Sequence, residues 1–188
     1  MAGPRPTPTH VERPFDVAEL FFSTTNRKGI IQSGNDVFAR VSGYTEAELL
    51  GQPHNVIRHP DMPRAVFRLL WDYLEAERPI AAYVKNLAKD GGYYWVLATA
   101  GPVEDGYLSV RLKPTSPLLA TVEALYAELR GVEQEVEAAG GRPADAIAAS
   151  TPVLAERLAA LGFTTYDNFM HAALPMEIRA RHIALADR

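Results

Sequence analysis

The stretch Gln52-Pro-His-Asn-Val-Ile-Arg-His-Pro-Asp-Met-Pro63 places two histidines, an arginine, an asparagine and an aspartate among three prolines. Proline fixes its own φ and restricts the residue before it, so His54, Arg58, His59 and Asp61 sit on a stiffened loop. Rigid donors and acceptors that converge beside an apolar helix suit a ligand with an aromatic body and a polar head. The same residues also allow a structural role, with Asp61 capping the next helix and Arg58 and His59 solvated. A second position of interest is Asn86. Ile80, Ala82 and Val84 share one face of a strand, and strict alternation puts Asn86 on that inward side. A buried amide without a partner costs roughly 1–3 kcal/mol, so it must bond either to sheet backbone or to the edge of a bound heterocycle. Ala98 and Ala100 in the following strand would leave room for such a ligand. Trp71, on an apolar helix stripe, fits core packing or a cleft wall equally well.

Composition narrows the chemistry. The chain has 188 residues, 47% hydrophobic and 22% charged, which is a globular balance. It has no cysteine, so disulfides, thiolate zinc sites, thiol nucleophiles and flavin–cysteine photochemistry are excluded. The net charge of −4 supplies no basic field, and neither nucleic acid nor an anionic membrane is an expected partner. No segment approaches the roughly 18 apolar residues of a membrane span. Carboxylate pairs, metal-ligand spacings and nucleophile–base arrangements are missing too, so no enzyme is expected. The first fourteen residues hold four prolines and no apolar run, which predicts a disordered lead over 1–14 rather than a signal peptide. The expected setting is the cytoplasm.

Stepping outward from the loop, the residues before it read as strands at Phe21–Thr25 and Ile30–Ser33 and a short helix over Asn35–Ser42. Thr45-x-x-Glu48 is a capping box. A helix over Met62–Glu77 carries the stripe Phe67, Leu70, Trp71 and Leu74. Strands at Ile80–Lys89, Tyr93–Pro102 and Tyr107–Lys113 follow as a meander, with Leu108, Val110 and Leu112 alternating against Tyr107, Ser109 and Arg111. The expected class is α+β, one antiparallel sheet with helices on one face, occupying 15–114. Past Pro114 and Pro117 the chain turns helical. Leu118, Val122, Leu125, Leu129, Val132 and Val136 follow 4-3-4-3-4 spacing, which predicts a heptad helix over 115–139 and a homodimer formed along it. Gly140-Gly141-Arg142-Pro143 reads as the start of a linker over 140–150. A small helical hairpin or bundle over 151–188 completes the chain, opening at Thr151 or Pro152, with Pro175 starting a further helix.

Read in order, Gly34-Asn-Asp-Val-Phe38, Ser42-Gly-Tyr-Thr45, Glu48-Leu-Leu-Gly-Gln-Pro-His-Asn55, Arg58-His-Pro-Asp-Met-Pro63, Trp71, Val84-Lys-Asn86 and Tyr94-Trp-Val96 resemble a PAS domain. More narrowly they resemble the flavin-binding PAS domain of bacterial aerotaxis and energy-taxis receptors, over about residues 20–114. That resemblance implies a five-stranded PAS fold holding non-covalent FAD, whose redox state reports oxygen or electron transport to a downstream partner. It implies that Arg58, His59 and Asp61 support FAD binding and that Asn35, His54, Trp71 and Asn86 line the cleft. Family members continue into a membrane anchor and a signalling hairpin, neither of which is recognisable here, so the tail lies outside the resemblance. A haem-binding PAS sensor, with His54 or His59 as axial ligand, and a cofactor-free PAS interaction module are the alternatives.

Overall fold

The computed structural model describes residues 5–188. The chain forms two compact units. One comprises residues up to Pro60 together with Tyr73–Pro114; the other comprises Asp61–Asp72 with Thr115–Arg188.

The first unit is built on a five-stranded sheet of β1 (Leu20–Asn26), β2 (Ile31–Gly34), β3 (Ile80–Leu87), β4 (Tyr93–Val103) and β5 (Gly106–Leu112). The strand order is β2-β1-β5-β4-β3, with every neighbouring pair antiparallel. Two short helices lie between β2 and β3 in this unit, α1 (Asp36–Ser42) and α2 (Glu46–Leu49). Asn35 caps α1 by accepting from the Phe38 N–H, and Gly43 ends it at φ 74°. Thr45 and Glu48 cap α2 reciprocally, as their spacing predicts. Phe21, Ile31, Phe38, Val41, Leu49, Ile57, Tyr94, Val96 and Ala98 form one buried cluster that holds these helices to the sheet. Opposed residues of an antiparallel pair point the same way. The pairs Phe21↔Arg111, Ala98↔Arg111, Ala82↔Ala98, Val84↔Val96 and Asn86↔Tyr94 therefore define a single inner face.

Two expectations change here. Residues 1–4 of the anticipated lead lie outside the described residues, but the rest of it is ordered. Thr9 N–H donates to Gly91 O at 2.8 Å, Tyr93 N–H to Val11 O at 2.9 Å and Arg13 N–H to Tyr93 O at 2.7 Å, so the segment runs along the β3–β4 turn. Its prolines interrupt helix and sheet, yet they do not prevent an extended strap from pairing with an exposed edge. Gly91 is required at this turn: its φ is 88°, and a Cβ there would lie 2.2 Å from Thr7 O. The second change concerns β5. Tyr107 and Arg111 are buried, whereas Leu108, Val110 and Leu112 are only half-buried. The polar set of the alternation faces inward.

In the second unit, α3 (Arg64–Glu75, as far as Asp72) groups with α4 (Leu118–Ala138), α5 (Pro143–Ala160) and α6 (Tyr166–Ala186). No linker separates α4 from α5. Gly140 ends α4 at φ 82°, and Pro143 occupies the first turn of α5, where its missing N–H is no loss. Pro152 and Pro175 lie inside α5 and α6 instead of opening helices. The Arg157–Glu128 ion pair and the Ser150–Glu133 hydrogen bond show that α4 and α5 run antiparallel. Val122, Leu125 and Leu129 of the heptad seam are buried within this single chain, while Leu118, Val132 and Val136 are half-buried. The middle of the seam is therefore packed within the chain, while Leu118, Val132 and Val136 keep part of their surface. Glu133, buried as well, lies beside the seam at the position after Val132.

Candidate functional site

The inner face of the sheet carries polar groups that the chain does not satisfy. Asn86 Nδ2, the Tyr94 hydroxyl and Arg111 Nη1 are all buried and find no hydrogen-bond partner among the described residues. Asn86 stands opposite Tyr94, and Arg111 stands opposite Ala98, four residues along the same strand. Native interiors pair nearly all such groups, so three left unpaired on one face make it the candidate site. Small side chains at Ala82, Ala98 and Ala100 share this face.

Arg111 dominates the electrostatics. It is 3% exposed, and burial lowers its pKa to about 10, which still leaves it charged at neutral pH. Its Nη2 donates to His54 Nε2 at 2.6 Å and to Ser23 Oγ at 2.8 Å, and its guanidinium lies 5.3 Å from the Phe38 ring centre. Since guanidinium only donates, His54 Nε2 must be the acceptor, and the imidazole is neutral with its proton on Nδ1. Burial first, then the Arg111 charge, pushes the His54 pKa down to about 3. The His54 ring stacks with Phe38 at a 6.2 Å centroid separation and 7° tilt. A buried cation held by neutral groups is an expensive arrangement unless an electron-rich partner offsets it. Tyr94 is likewise pushed up by burial, so its hydroxyl keeps its proton and can donate.

The loop residues are positioned by backbone. Arg58 forms an isolated bridge with Asn86, and the His59 N–H donates to Lys85 O at 3.3 Å, which fastens the loop to β3. His59 is 1% exposed, with its ring edge-on to Tyr93 at 6.3 Å. Arg5 Nη2 reaches Asn55 O at 2.8 Å and Arg58 O at 3.0 Å from the other side of the loop.

Of the seven residues anticipated, Arg58, His59 and Asn86 are brought together at β3, and His54 joins Arg111 and Ser23. Asn35 differs. Its Oδ1 accepts from Phe38 and Phe22 N–H groups and its Nδ2 donates to Leu20 O, so the amide is engaged as a cap and a brace on β1. Asp61 and Trp71 fall on the segment that groups with the helical unit, where Trp71 packs edge-to-face on Phe67 at 6.4 Å. The Arg64 and Ala65 N–H groups at the start of α3 go to Glu133, where an Asp61 cap was expected. Arg111, Tyr94 and Ser23 escaped sequence reasoning. The signal for Arg111 was available: its strand neighbours across β4 are Ala98 and Ala100, too small to fill an apolar interior.

Residues 32–110 match the family model described as PAS fold. The aerotaxis receptor of Escherichia coli is 43% identical over 129 residues, covering 66% of this chain and 26% of that receptor. A nitrogen fixation regulatory protein of Klebsiella pneumoniae is 31% identical over 86 residues, 46% of this chain and 17% of that protein. The chain thus spans about a quarter or less of the length of these relatives. Among solved structures, a light-oxygen-voltage domain from a flavin-analogue study aligns with a TM-score of 0.50 at 22% identity, covering 59% of this chain and 88% of that one. That likeness concerns the fold alone. No described helix is long and apolar enough to cross a membrane.

Proposed function

Residues 32–110 belong to the PAS family, and from that premise we propose that this chain is a sensor that holds FAD without a covalent bond and reports redox state or oxygen to a partner. The observation that carries this reading is the inner sheet face on which Asn86 Nδ2, the Tyr94 hydroxyl and Arg111 Nη1 are buried without partners. All three donate, and the rim of an isoalloxazine is a row of carbonyl and imine acceptors. The 43% identity to a protein named as an aerotaxis receptor supports the same choice. FAD would supply a centre that takes up and returns electrons.

The chain's own groups divide the work of holding it. Arg111 presents a fixed positive charge to the electron-rich edge. His54 and Ser23 orient that guanidinium by accepting from Nη2 and leave Nη1 to the ligand. The Asn86 amide fixes the orientation of the ring edge, and Tyr94 donates a neutral hydroxyl. Arg58 and His59, fastened to β3, serve the remaining polar part of the cofactor. The reading places the protein in the cytoplasm. A homodimer along α4 would rest on the half-buried Leu118, Val132 and Val136, since Val122, Leu125 and Leu129 are already buried. Haem on His54 fits less well, because its Nε2 lone pair is taken by Arg111. A cofactor-free module would leave the three buried donors unsatisfied.

The test is chromatography of whatever denatured protein releases. FAD at one per chain is expected. Colourless protein that takes up no added FAD overturns the reading.

A further inference from the structure

Glu133 is fully buried in the helical unit, and all of its named bonds come from three different helices. Its Oε2 accepts from Arg64 N–H at 2.9 Å and its Oε1 from Ala65 N–H at 3.0 Å, the free donors at the start of α3. Ser150 Oγ of α5 donates to Oε1 at 3.0 Å, and Arg130 Nη1 of α4 to Oε2 at 3.1 Å. One turn later, Glu137 takes Arg64 Nε at 2.6 Å and Arg130 Nη2 at 2.9 Å. Two cations and two carboxylates therefore close a neutral network around a helix N-terminus, whose dipole adds to the attraction. The Glu133 end of this grip is buried and charge-assisted, while the Arg64–Glu137 pair is half-buried.

Immediately upstream the chain is held by something else. Arg58 bridges Asn86, and His59 N–H bonds to Lys85 O, so the binding loop is fastened to β3 up to the residue before Pro60. Only Pro60-Asp61-Met62-Pro63 separates that fastening from the helix that Glu133 grips. Prolines at both ends restrict the backbone of this short joint.

We infer that α3 is the handle by which the state of the binding site reaches the helical unit: loop 58–60 moves the joint, the joint moves the α3 N-terminus, and Glu133 with Glu137 passes that movement to α4 and α5. This rests on the cofactor reading and names its internal route. The Pro114–Pro117 junction, where Glu177 accepts from Thr115 and Ser116, is the competing route that the test separates from 60–65. A group whose hydrogen bonds change at Asn86 pulls directly on its bridge partner Arg58, so the loop is the nearest element to respond.

Hydrogen exchange on the full chain, loaded with FAD and compared oxidised and dithionite-reduced, tests it. Amides of residues 61–68 are expected to change exchange rate between the two states by about fivefold or more, the size of ordinary coupling between sites. Glu133→Gln keeps the shape and removes the charge. It should speed exchange at 64–68 about tenfold in both states and narrow the difference between them, with FAD still bound. A state-dependent change at 113–117 with none at 61–68 overturns the inference and leaves the cofactor reading standing. So does a Glu133→Gln protein that keeps the full difference. If Glu133→Gln fails to fold, the wild-type comparison of 61–68 against 113–117 decides alone. A chain that takes up no FAD removes both.

Discussion

Buried charges in the two units are satisfied in opposite ways. In the helical unit the carboxylates of Glu133 and Glu177 are deep inside and well supplied: Glu133 by two helix N–H groups, a serine and an arginine, and Glu177 by the Thr115 and Ser116 N–H groups and the Ser116 hydroxyl. In the sheet unit Arg111 is just as deep, but its charge is met by a neutral histidine and a serine, and Nη1, Tyr94 and Asn86 are left to bond elsewhere. A complete network is architecture. An incomplete one, gathered on one face with small neighbours, is the feature on which the FAD proposal rests.

That contrast predicts opposite signs for removing a buried charge. Glu133→Ala strips one side of a satisfied network and should cost about 3–5 kcal/mol of stability, read by urea denaturation, with FAD stoichiometry retained in the folded fraction. Arg111→Met should leave the unliganded protein within about 1 kcal/mol of wild type or more stable, because a poorly compensated buried charge is being replaced by a thioether. FAD affinity should fall at least about tenfold in the same variant, as expected for losing a charged hydrogen bond. A variant that loses stability and keeps its affinity would place Arg111 with the structural groups.

Gly91→Ala sharpens the comparison at the edge of the sheet. It forces an alanine into a left-handed φ against Thr7 O and should cost about 1–2 kcal/mol. Faster proteolysis within residues 5–13 would report that the strap has lifted.

Acid should weaken the sheet unit first. His54 is held at about 3 in the folded chain against an ordinary 6.5, so the unfolded chain binds the extra proton. The stability tied to this neutral imidazole is complete above about 6.5 and drains away as pH falls towards 3. Glu137, lowered to about 2 chiefly by Arg130 and then Arg64, contributes fully above its ordinary 4.5 and is lost only as pH falls through about 2. Denaturation midpoints measured from pH 7 to 4.5 should therefore decline, and His54→Gln should flatten that decline while Glu137→Gln leaves it.

Much of this could be read from the residues. Asn35 and the Thr45–Glu48 pair name their caps by spacing alone, and alternation from Ile80 put Asn86 on the inner face that the strand register displays. The failures share a physical origin: each needed knowledge of a partner. Alternation in β5 says which residues share a face, but not that the face with Arg111 is the inner one; only pairing with Ala98 says that. The heptad spacing of α4 is genuine, yet it cannot say that α5 covers Val122, Leu125 and Leu129 in the same chain. Pro143 was legible as a stop and equally as a first-turn residue, and what decides is the ordered helix that follows. That Asp61–Asp72, directly after the binding loop in sequence, groups with the helices was likewise invisible in the residues alone.

The central claim is that the face bearing Asn86, Tyr94 and Arg111 is completed by FAD. Titrating cofactor-free full-length protein with FAD and following flavin fluorescence and absorption tests it most directly, with Arg111→Met and Asn86→Ala run beside the wild type. Saturation at one FAD per chain is predicted for the wild type, with at least tenfold weaker binding in both folded variants. Wild-type protein that leaves the flavin spectrum unchanged, or variants that bind FAD as tightly as it does, would contradict the account.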